Sequence, residues 1–242
     1  MKIIFFGSAH FAVPSLQALI KSKYEVACVV TQPDKQKGRH LELSGTDVKS
    51  VALDAKLKIF QPENINTRES GQFLKSIEAD VFVIIAYGQI LSQEILDIPK
   101  IMPINIHASL LPRYRGAAPI NWVIINAEKK TGITVIYVTA KMDAGPIIMQ
   151  EEIKIADEDT SVTLEEKLRN CGVKLLIEAL SSIDKREYRL VEQVEDDVIY
   201  APKLKKEVGL IDWSTPAVNI HNQIRGLLPW PGAFTSYRGK ML

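Results

Sequence analysis

The sequence has little cysteine and no long apolar run. Its 242 residues include two cysteines, Cys28 and Cys171, which lie far apart in apolar surroundings. Such cysteines are typical of buried thiols in a reducing compartment, which argues against a disulfide framework. The apolar N-terminal run, residues 1–7, is too short for a signal peptide or a membrane span. We therefore expect a cytoplasmic protein.

Excess charge of one sign is also missing, since the formal net charge at pH 7 is +1. No overall field draws such a chain to nucleic acid or to a membrane, so an anionic partner must be met by a local patch. Internal repeats and low-complexity tracts are absent as well. The composition, 46% hydrophobic and 24% charged, is ordinary for a folded protein. The length suits one large domain, or one domain plus part of another.

The first thirty residues predict an α/β fold. Residues 2–6 form a continuous apolar run that ends at Gly7, which indicates a central parallel strand followed by a tight turn. Pro14 suits the first turn of a helix, and residues 26–30 form a second buried strand. The turn at 7–12 lacks the later glycines of a G-x-G-x-x-G fingerprint, so a dinucleotide site is not favoured. The pattern predicts a doubly wound, mostly parallel sheet.

The middle of the chain continues this alternation. Strands are predicted at 58–60, 81–86, 101–104, 134–138 and 146–155, with a small hairpin at 190–194 and 198–200. Helices are predicted at 48–57, 67–77, 117–127 and 163–182. A long polar segment, residues 31–49, carries Lys35, Lys37 and Arg39. Its composition favours a solvated surface loop, and the alternative is a mobile arm that contacts an anionic partner.

A polar, basic stretch divides the chain near its end. We predict a first domain at 1–200, a linker at 201–209 and the start of a second domain at 210–242. Pro216 marks the start of a helix. A strand-like segment at 233–237 is followed by a turn signal, so a second strand is expected beyond the end of the sequence. The apolar face of the helix is predicted at Val218, Ile220, Ile224 and Leu227.

Polar residues stand where two predicted buried strands end. Asn105 and His107 follow the apolar run 101–104 with an apolar residue between them, so both side chains lie on one face of an extended segment. Tyr87 and Gly88 follow the preceding strand, and a glycine there permits close approach of a ligand to the backbone. Ligands of open α/β folds bind at this carboxyl edge of the sheet. We therefore place a candidate site there.

Two loops complete the candidate site. The segment after His107 carries Pro112, Arg113 and Arg115, a combination that suits an unusual backbone path and an anionic contact. Asp143 lies in a tight loop between the two later strands, from which it could orient or charge the imidazole. The alternatives are a hydrogen-bonded core histidine, a plain turn aspartate and surface arginines.

The chemistry that these residues permit is non-covalent. Ser109 does not stand on a G-x-S-x-G elbow, so a nucleophilic triad is not favoured, and the other histidines show no metal-ligand spacing with His107. General acid–base catalysis with oxyanion stabilisation remains, as in acyl transfer between two bound substrates. A positioned histidine contributes ~10²–10⁴-fold to a rate, and one oxyanion donor ~10²–10³-fold.

Six motifs stand in order along the first part of the chain: FAVPSL at 11–16, TQPDK at 31–35, KGR at 37–39, AYG at 86–88, NIHASLLPRYRGAAPI at 105–120 and MDAGP at 142–146. Three more lie near its end: IDWS at 211–214, IRGL at 224–227 and PWPGAF at 229–234. Together they resemble the methionyl-tRNA formyltransferases of the folate-dependent formyltransferase family, and the last three are more specific to the tRNA enzymes. The similarity covers essentially the whole chain, in order and at the family's spacing.

The resemblance implies an activity and an architecture. The activity is transfer of a formyl group from 10-formyltetrahydrofolate to the α-amine of methionine on initiator tRNA, with no metal and no membrane partner. The architecture is a Rossmann-like formyltransferase domain at 1–200, followed by the incomplete start of an OB-like β-barrel at 210–242, in a chain expected to be a monomer.

The resemblance also assigns roles to residues of this chain. Asn105 would polarise the formyl oxygen, His107 would stabilise the developing charge or shuttle a proton, and Asp143 would tune His107 and order a relaying water. Folate binding is implied for the backbone near Tyr87 and Gly88 and for Ser109, Leu110, Leu111 and Pro112. Contacts with tRNA are implied for Lys35, Lys37 and Arg39, and for the basic linker with Lys203, Lys205 and Lys206.

The chain departs from the family in three places. Residues 8–10 read Ser-Ala-His where the family usually has Thr-Pro and an acid, and residues 40–43 are less basic than the family's loop. The β-barrel is represented only by its entry, which predicts weaker tRNA formylation. Two alternatives stay open: the same donor chemistry on a sugar, a purine-pathway amine or water, and a non-catalytic folate- or RNA-binding module.

Overall fold

The computed structural model of the chain describes residues 1–37 and 42–241. The strands are β1 (Lys2–Gly7), β2 (Glu25–Val30), β3 (Lys35–Lys37), β4 (Glu42–Ser44), β5 (Ile59–Phe60), β6 (Val81–Ile85), β7 (Met102–His107), β8 (Arg115–Gly116), β9 (Lys130–Tyr137), β10 (Ile147–Lys154), β11 (Tyr200–Ala201), β12 (Ser236–Tyr237) and β13 (Lys240–Met241). The α-helices are α1 (Val13–Ile20), α2 (Asp47–Asp54), α3 (Arg68–Ile77), α4 (Gln93–Leu96), α5 (Pro119–Ile125), α6 (Ser161–Lys185) and α7 (Ala217–Gly226). Short 3₁₀ helices occupy His10–Ala12, Glu195–Asp197 and Lys206–Gly209.

A seven-stranded sheet in the order β10-β9-β7-β6-β1-β2-β5 forms the centre of the molecule. The pairings of β1 with β2 and β6, of β2 with β5 and of β6 with β7 are parallel. Strands β9 and β10 add an antiparallel edge beside β7. The predicted fold class, a mostly parallel sheet of the Rossmann-like kind, is confirmed, and a short C-terminal portion follows it.

Helices cover both faces of this sheet, which is why β1 is apolar without alternation. Ile3 and Phe5 belong to the core on one face, with residues of α1 and α6, whereas Ile4 and Phe6 belong to the core on the other face, with residues of α3. Pro14 lies in the first turn of α1 as predicted. No described helix has both the length and the apolar character needed to cross a membrane.

Two sequence predictions about the middle of the chain are wrong. The segment 31–49 is not a continuous loop, because β3 and β4 pair in it and α2 begins at Asp47. The predicted hairpin at 190–194 and 198–200 does not form either. Val191 instead bridges Ile147, and β11 pairs in parallel with β8. Val191 and β11 find partners far away in the sequence, which local alternation does not reveal.

The C-terminal portion also differs from expectation. Leu227 is buried as predicted, but Val218 and Ile224, predicted on the same apolar face, are 61% and 43% exposed. Asn222 and Arg225 of α7 are buried as well. The second strand expected beyond the chain end begins within it, since β12 pairs with β13. The predicted linker is packed, with Ala201 fully buried. The division into domains stays a prediction.

Candidate active site

The ends of β6 and β7 bring the main candidate residues together. In the parallel ladder Ile84 is opposite Asn105, so the segments that leave the two strands are neighbours at the carboxyl edge of the sheet. Immediately after β6, Ala86 has φ = 46° and Gly88 has φ = 91°. Left-handed backbone here turns the chain sharply away from the sheet and leaves space above the strand ends.

Within the described part of the chain, the amide of Asn105 is hydrogen-bonded to the protein through its nitrogen but not through its oxygen. Its Nδ2 donates to the Ile84 carbonyl over 3.0 Å. Its Oδ1 is buried and has no hydrogen-bond partner among the described residues. An amide nitrogen has two N–H bonds, so one remains for a ligand after the bond to Ile84. A buried polar atom without a partner beside a cavity suits a group that completes its bonding with a substrate.

The hydrogen bonding of His107 identifies its tautomer. The residue is 6% exposed, and its Nε2 lies 2.9 Å from the Tyr114 carbonyl oxygen. Because a carbonyl can only accept, Nε2 carries a proton and donates it there. Nδ1 faces Oδ2 of Asp143 at 3.6 Å. Nδ1 is therefore the ring nitrogen at which a proton can come and go.

Asp143 reaches the imidazole from the loop between β9 and β10. Its φ is 51°, and its Oδ2 accepts a hydrogen bond from the Gly116 backbone N–H at 2.8 Å. Tyr114, whose carbonyl receives the His107 proton, also has a left-handed backbone, with φ = 64°. The loop that follows β7 thus fixes His107 through the Tyr114 carbonyl and Asp143 through the Gly116 N–H.

A cavity of about 790 Å³ lies over Asn105, His107 and Asp143. Its walls come from the ends of β6 and β7, the loop after β9, the starts of α5 and α6, and the C-terminal portion of the chain. Apolar side chains in the lining include Phe11, Ile120, Val162, Leu228, Pro229 and Trp230. A mainly apolar cleft with a few converging polar groups is the usual form of a small-molecule site.

Tyr87 and Gly88 line the same cavity, as the sequence placed them. The Tyr87 side chain is buried against Phe6, and its hydroxyl has no partner among the described residues. Burial raises the pKa of this hydroxyl well above its usual value. The carbonyl of Tyr87 accepts a hydrogen bond from Ser8 Oγ at 2.9 Å. The turn at Ser8 and the end of β6 therefore support one another.

The turn at 109–112, predicted to line the folate site, does not line the cavity over His107. Ser109 is fully buried, and its carbonyl accepts a hydrogen bond from Thr134 Oγ1 at 2.6 Å. Leu110, Leu111 and Pro112 line a separate cavity of about 680 Å³ rather than the one over His107. Within the described residues, the structure thus brings this turn to the back of the His107 loop, where it supports that loop.

Both arginines of the loop are paired with carboxylates. Arg113 binds Glu128. Arg115 is 1% exposed and binds Glu195 with 3.1 Å between Nη2 and Oε1. Hydrogen bonds from Arg115, and next from Lys141, hold the pKa of the Glu195 carboxyl below its usual value. These partners explain the arginines as supports of the loop, not as an anion site.

The residues predicted to meet tRNA are only partly described. Lys35 is exposed in β3. Lys37 belongs to the same strand, and Arg39 lies outside the described residues. Lys203, from the predicted linker, lines the main cavity. No cluster of three or more His, Cys, Asp or Glu side chains suited to a metal ion occurs in residues 1–37 and 42–241.

Some groups that build the site escape sequence analysis. The Tyr114 carbonyl and the Gly116 N–H act through the backbone, which leaves no trace in residue type. Leu228 and Trp230 also line the cavity, although Leu228 belongs to no motif of the sequence and Trp230 belongs only to PWPGAF. The PWPGAF motif is the available signal for Trp230, since an exposed tryptophan is often a contact residue.

Two family models match the chain: "Formyl transferase" over residues 1–180, and "Formyl transferase, C-terminal domain" over residues 203–242. A methionyl-tRNA formyltransferase of Caldanaerobacter subterraneus is 48% identical over 243 aligned positions, covering 100% of this chain and 79% of that protein. The enzyme of the same name from Acetivibrio thermocellus is 46% identical, covering 100% and 78%.

A solved structure gives the same indication for the fold. A sugar 3N-formyl transferase, crystallised in the presence of dTDP and 5-N-formyl-THF, superposes with a TM-score of 0.73. It is 25% identical in sequence, and the match covers 93% of this chain and 78% of that one.

Proposed function

The chain belongs to the formyl transferase family, and from that premise we propose that it transfers a formyl group from 10-formyltetrahydrofolate to the α-amino group of methionyl initiator tRNA. The observation that carries the proposal is the convergence of Asn105, His107 and Asp143 over a single large cavity. Two relatives that are 46–48% identical over the whole chain are named methionyl-tRNA formyltransferases, which supports methionyl-tRNA as the formyl acceptor.

The residues at the cavity fit a folate donor. The unpartnered Oδ1 and the free N–H of Asn105 offer an acceptor and a donor to a ligand amide or carbonyl. Gly88 has no side chain and a positive φ, so a flat ring can approach the backbone there, and the apolar lining suits a ring system. The backbone at Tyr87 and Gly88 would hold the ring. When bound, 10-formyltetrahydrofolate supplies the activated formyl carbon.

Asn105 acts on the formyl oxygen. As the incoming amine attacks, negative charge develops on that oxygen, and an N–H fixed in advance stabilises the charge without reorganising. The bond from Nδ2 to the Ile84 carbonyl provides that fixation, since it sets the plane of the amide. One donor of this kind contributes ~10²–10³-fold to a rate.

His107 and Asp143 act on the protons. The attacking amine must lose a proton and the departing nitrogen must gain one. His107 Nδ1 is available to take and return it, because Nε2 is engaged with Tyr114. The Asp143 carboxylate, 3.6 Å from Nδ1, stabilises the imidazolium that forms. Its Oδ2 also accepts from Gly116, which leaves Oδ1 as the acceptor for a relaying water.

The acceptor end of tRNA would enter between the two parts of the chain. Lys203, Leu228 and Trp230 from the C-terminal portion form part of the cavity wall beside α5 and α6. Exposed Lys35 and the neighbouring Lys37 and Arg39 would contact phosphates, which makes affinity fall as salt rises.

The proposal is tested by a formyl-transfer assay on the purified chain with methionyl initiator tRNA and, separately, with a nucleotide-linked amino sugar. We expect formyl-methionyl-tRNA as the product. Asn105→Ala, His107→Ala and Asp143→Ala should each lower kcat at least about 100-fold. The matched control is His221→Ala, an exposed histidine of α7, which should keep wild-type activity. Faster formylation of the sugar, or full activity in His107→Ala, would refute the assignment.

A further inference from the structure

The loop that carries Asp143 is fastened by a side chain from a distant segment. Gln193 Nε2 donates to the Asp143 carbonyl at 2.9 Å and to the Gly145 carbonyl at 2.7 Å. Both acceptors lie inside the tight loop between β9 and β10, fifty positions away in the sequence. Asp143 has a left-handed backbone that a non-glycine residue adopts only when its surroundings impose it. Gln193 is the side chain that bonds to this backbone directly.

The orientation of the Gln193 amide is settled by its partners. Arg115 donates to Gln193 Oε1 from Nε at 3.0 Å and from Nη2 at 2.8 Å. A guanidinium has no acceptor, so the group that faces Arg115 must be the amide oxygen. The NH₂ group then points to the Asp143 loop. All four bonds are therefore consistent with a single placement, which leaves Gln193 no competing orientation.

We call the four hydrogen bonds of the Gln193 amide, two from Arg115 and two to the Asp143 loop, the Gln193 clamp. Arg115 makes this clamp rigid. It is 1% exposed, and besides Gln193 it binds Glu195, which also accepts from Lys141 at 3.2 Å. The next residue, Gly116, donates its N–H to Asp143 Oδ2. The loop of His107 and the loop of Asp143 are thus joined twice, once through the Gly116 backbone and once through the Gln193 side chain.

We propose that Gln193 is a positioning residue for formyl transfer: its clamp between buried Arg115 and the Asp143 backbone holds the Asp143 carboxylate against His107. The proposal rests on the proposed function, because it gives Asp143 its role there. Gln193 does not line the cavity, so it acts through Asp143 without touching substrate.

Gln193→Glu separates the two halves of the clamp. A glutamate keeps the acceptor for Arg115 but has no N–H for the two loop carbonyls, and it places negative charge beside them. The matched control is Val194→Glu, which adds the same charge at the next residue, where the side chain is 58% exposed. We expect Gln193→Glu to lower kcat about 10- to 100-fold, with the KM for the folate donor changed by less than about twofold. Val194→Glu should match the wild type.

A second comparison tests whether the effect passes through Asp143. In an Asp143→Asn background, Gln193→Glu should lower kcat by less than about twofold further, because the carboxylate that it misplaces is already gone. An equal factor in both backgrounds would overturn the proposal, as would wild-type kcat in Gln193→Glu. Gln193→Met, which has similar length and adds no charge, repeats the test if the glutamate variant does not fold.

The spectrum of the His107 ring gives a readout that does not depend on turnover. In ¹⁵N-labelled protein the His107 Nδ1 resonance should move in Gln193→Glu and stay in place in Val194→Glu. An unmoved resonance would refute the proposal even if activity were lost. A wild-type chain that forms no formyl-methionyl-tRNA, but whose His107 resonance responds in this way, would refute the proposed function and leave the clamp standing.

Discussion

Arg225 offers the sharpest test of how the C-terminal portion is attached to the segment that precedes α6. The side chain is 7% exposed, and its Nη1 donates to the Asp159 carbonyl at 2.6 Å and to the Ala156 carbonyl at 3.4 Å. Its Nε donates to Asn222 Oδ1 at 2.9 Å within α7. The perturbation is Arg225→Met, which keeps an unbranched stem and removes every donor.

The expected cost follows from these bonds. A hydrogen bond that involves a charged group contributes about 1.5–3 kcal/mol, and the 3.4 Å contact is too long to add much. Two good bonds would give about 3–6 kcal/mol, but the guanidinium no longer has to be buried in the variant, which offsets part of the loss. We expect a net loss of about 2–3 kcal/mol in the free energy of unfolding. For a chain of this size that corresponds to roughly 4–12 °C in Tm.

Urea unfolding measures the loss, with Arg189→Met as the matched control. Arg189 is exposed and makes no side-chain hydrogen bond to another described residue, so its replacement should change stability by less than about 0.5 kcal/mol. Equal stability of the two variants would refute the reasoning. Because Leu228 and Trp230 follow Arg225 closely and line the cavity, Arg225→Met should also raise the KM for tRNA more than it lowers kcat.

Three further predictions concern the sheet domain. Burial tends to raise the pKa of the Asp159 carboxyl, but hydrogen bonds from Lys167 and others outweigh burial, so the pKa is lowered in the folded protein. The carboxylate therefore stabilises the fold above the unfolded pKa of about 3.9. This contribution is lost as pH falls through the lower pKa of the folded state. Asp159→Asn should therefore be less stable than wild type at pH 7, with the difference shrinking toward pH 2 in acid unfolding, and a constant difference would contradict this. Gly145→Ala would put a methyl group 1.8 Å from a β9 carbonyl oxygen, so the Asp143 loop must shift and kcat should fall about 100-fold in the transfer assay. Thr134→Val removes the hydroxyl that bonds the turn at 109–112 and should cost about 1–3 kcal/mol in urea unfolding, whereas an unchanged midpoint would contradict this role of the hydroxyl.

The local pattern of the sequence predicts the sheet and the two strand-end residues. Runs of apolar residues locate β1, β2, β6 and β7, because strands buried on both faces leave no polar positions. Period-two alternation then places Asn105 and His107 on one face, and the carboxyl-edge rule brings Tyr87 and Gly88 beside them. Each of these inferences needs residues only a few positions apart, so the sequence alone can supply it.

The supports of the site do not follow from local pattern. Gln193 lies 78 positions from Arg115 and 50 from Asp143, and Arg225 lies 66 positions from Asp159. The short strands β8 and β11 have two residues each, too few for any alternation to show. The apolar spacing of α7 predicts its buried side only in part: Leu227 is buried as expected, but Arg225 is buried too, and it donates to carbonyls 66 and 69 positions away.

Backbone strain around His107 ties these observations together. Ala86, Tyr114 and Asp143 are non-glycine residues with φ between 46° and 64°, and all three belong to the segments that build the site. A left-handed conformation costs such a residue roughly 1–2 kcal/mol, so the three together oppose folding by several kcal/mol. This cost is met by bonds made elsewhere: Ser8 and Ala9 donate to the Ala86 carbonyl, His107 donates to the Tyr114 carbonyl, and Gln193 donates to the Asp143 carbonyl. The carbonyls of Ala86 and Asp143 accept from distant segments, whereas the carbonyl of Tyr114 accepts from His107, seven positions earlier. Two of the three strained positions therefore depend on long-range contacts, and substitutions at these contacts should affect catalysis before they affect the fold.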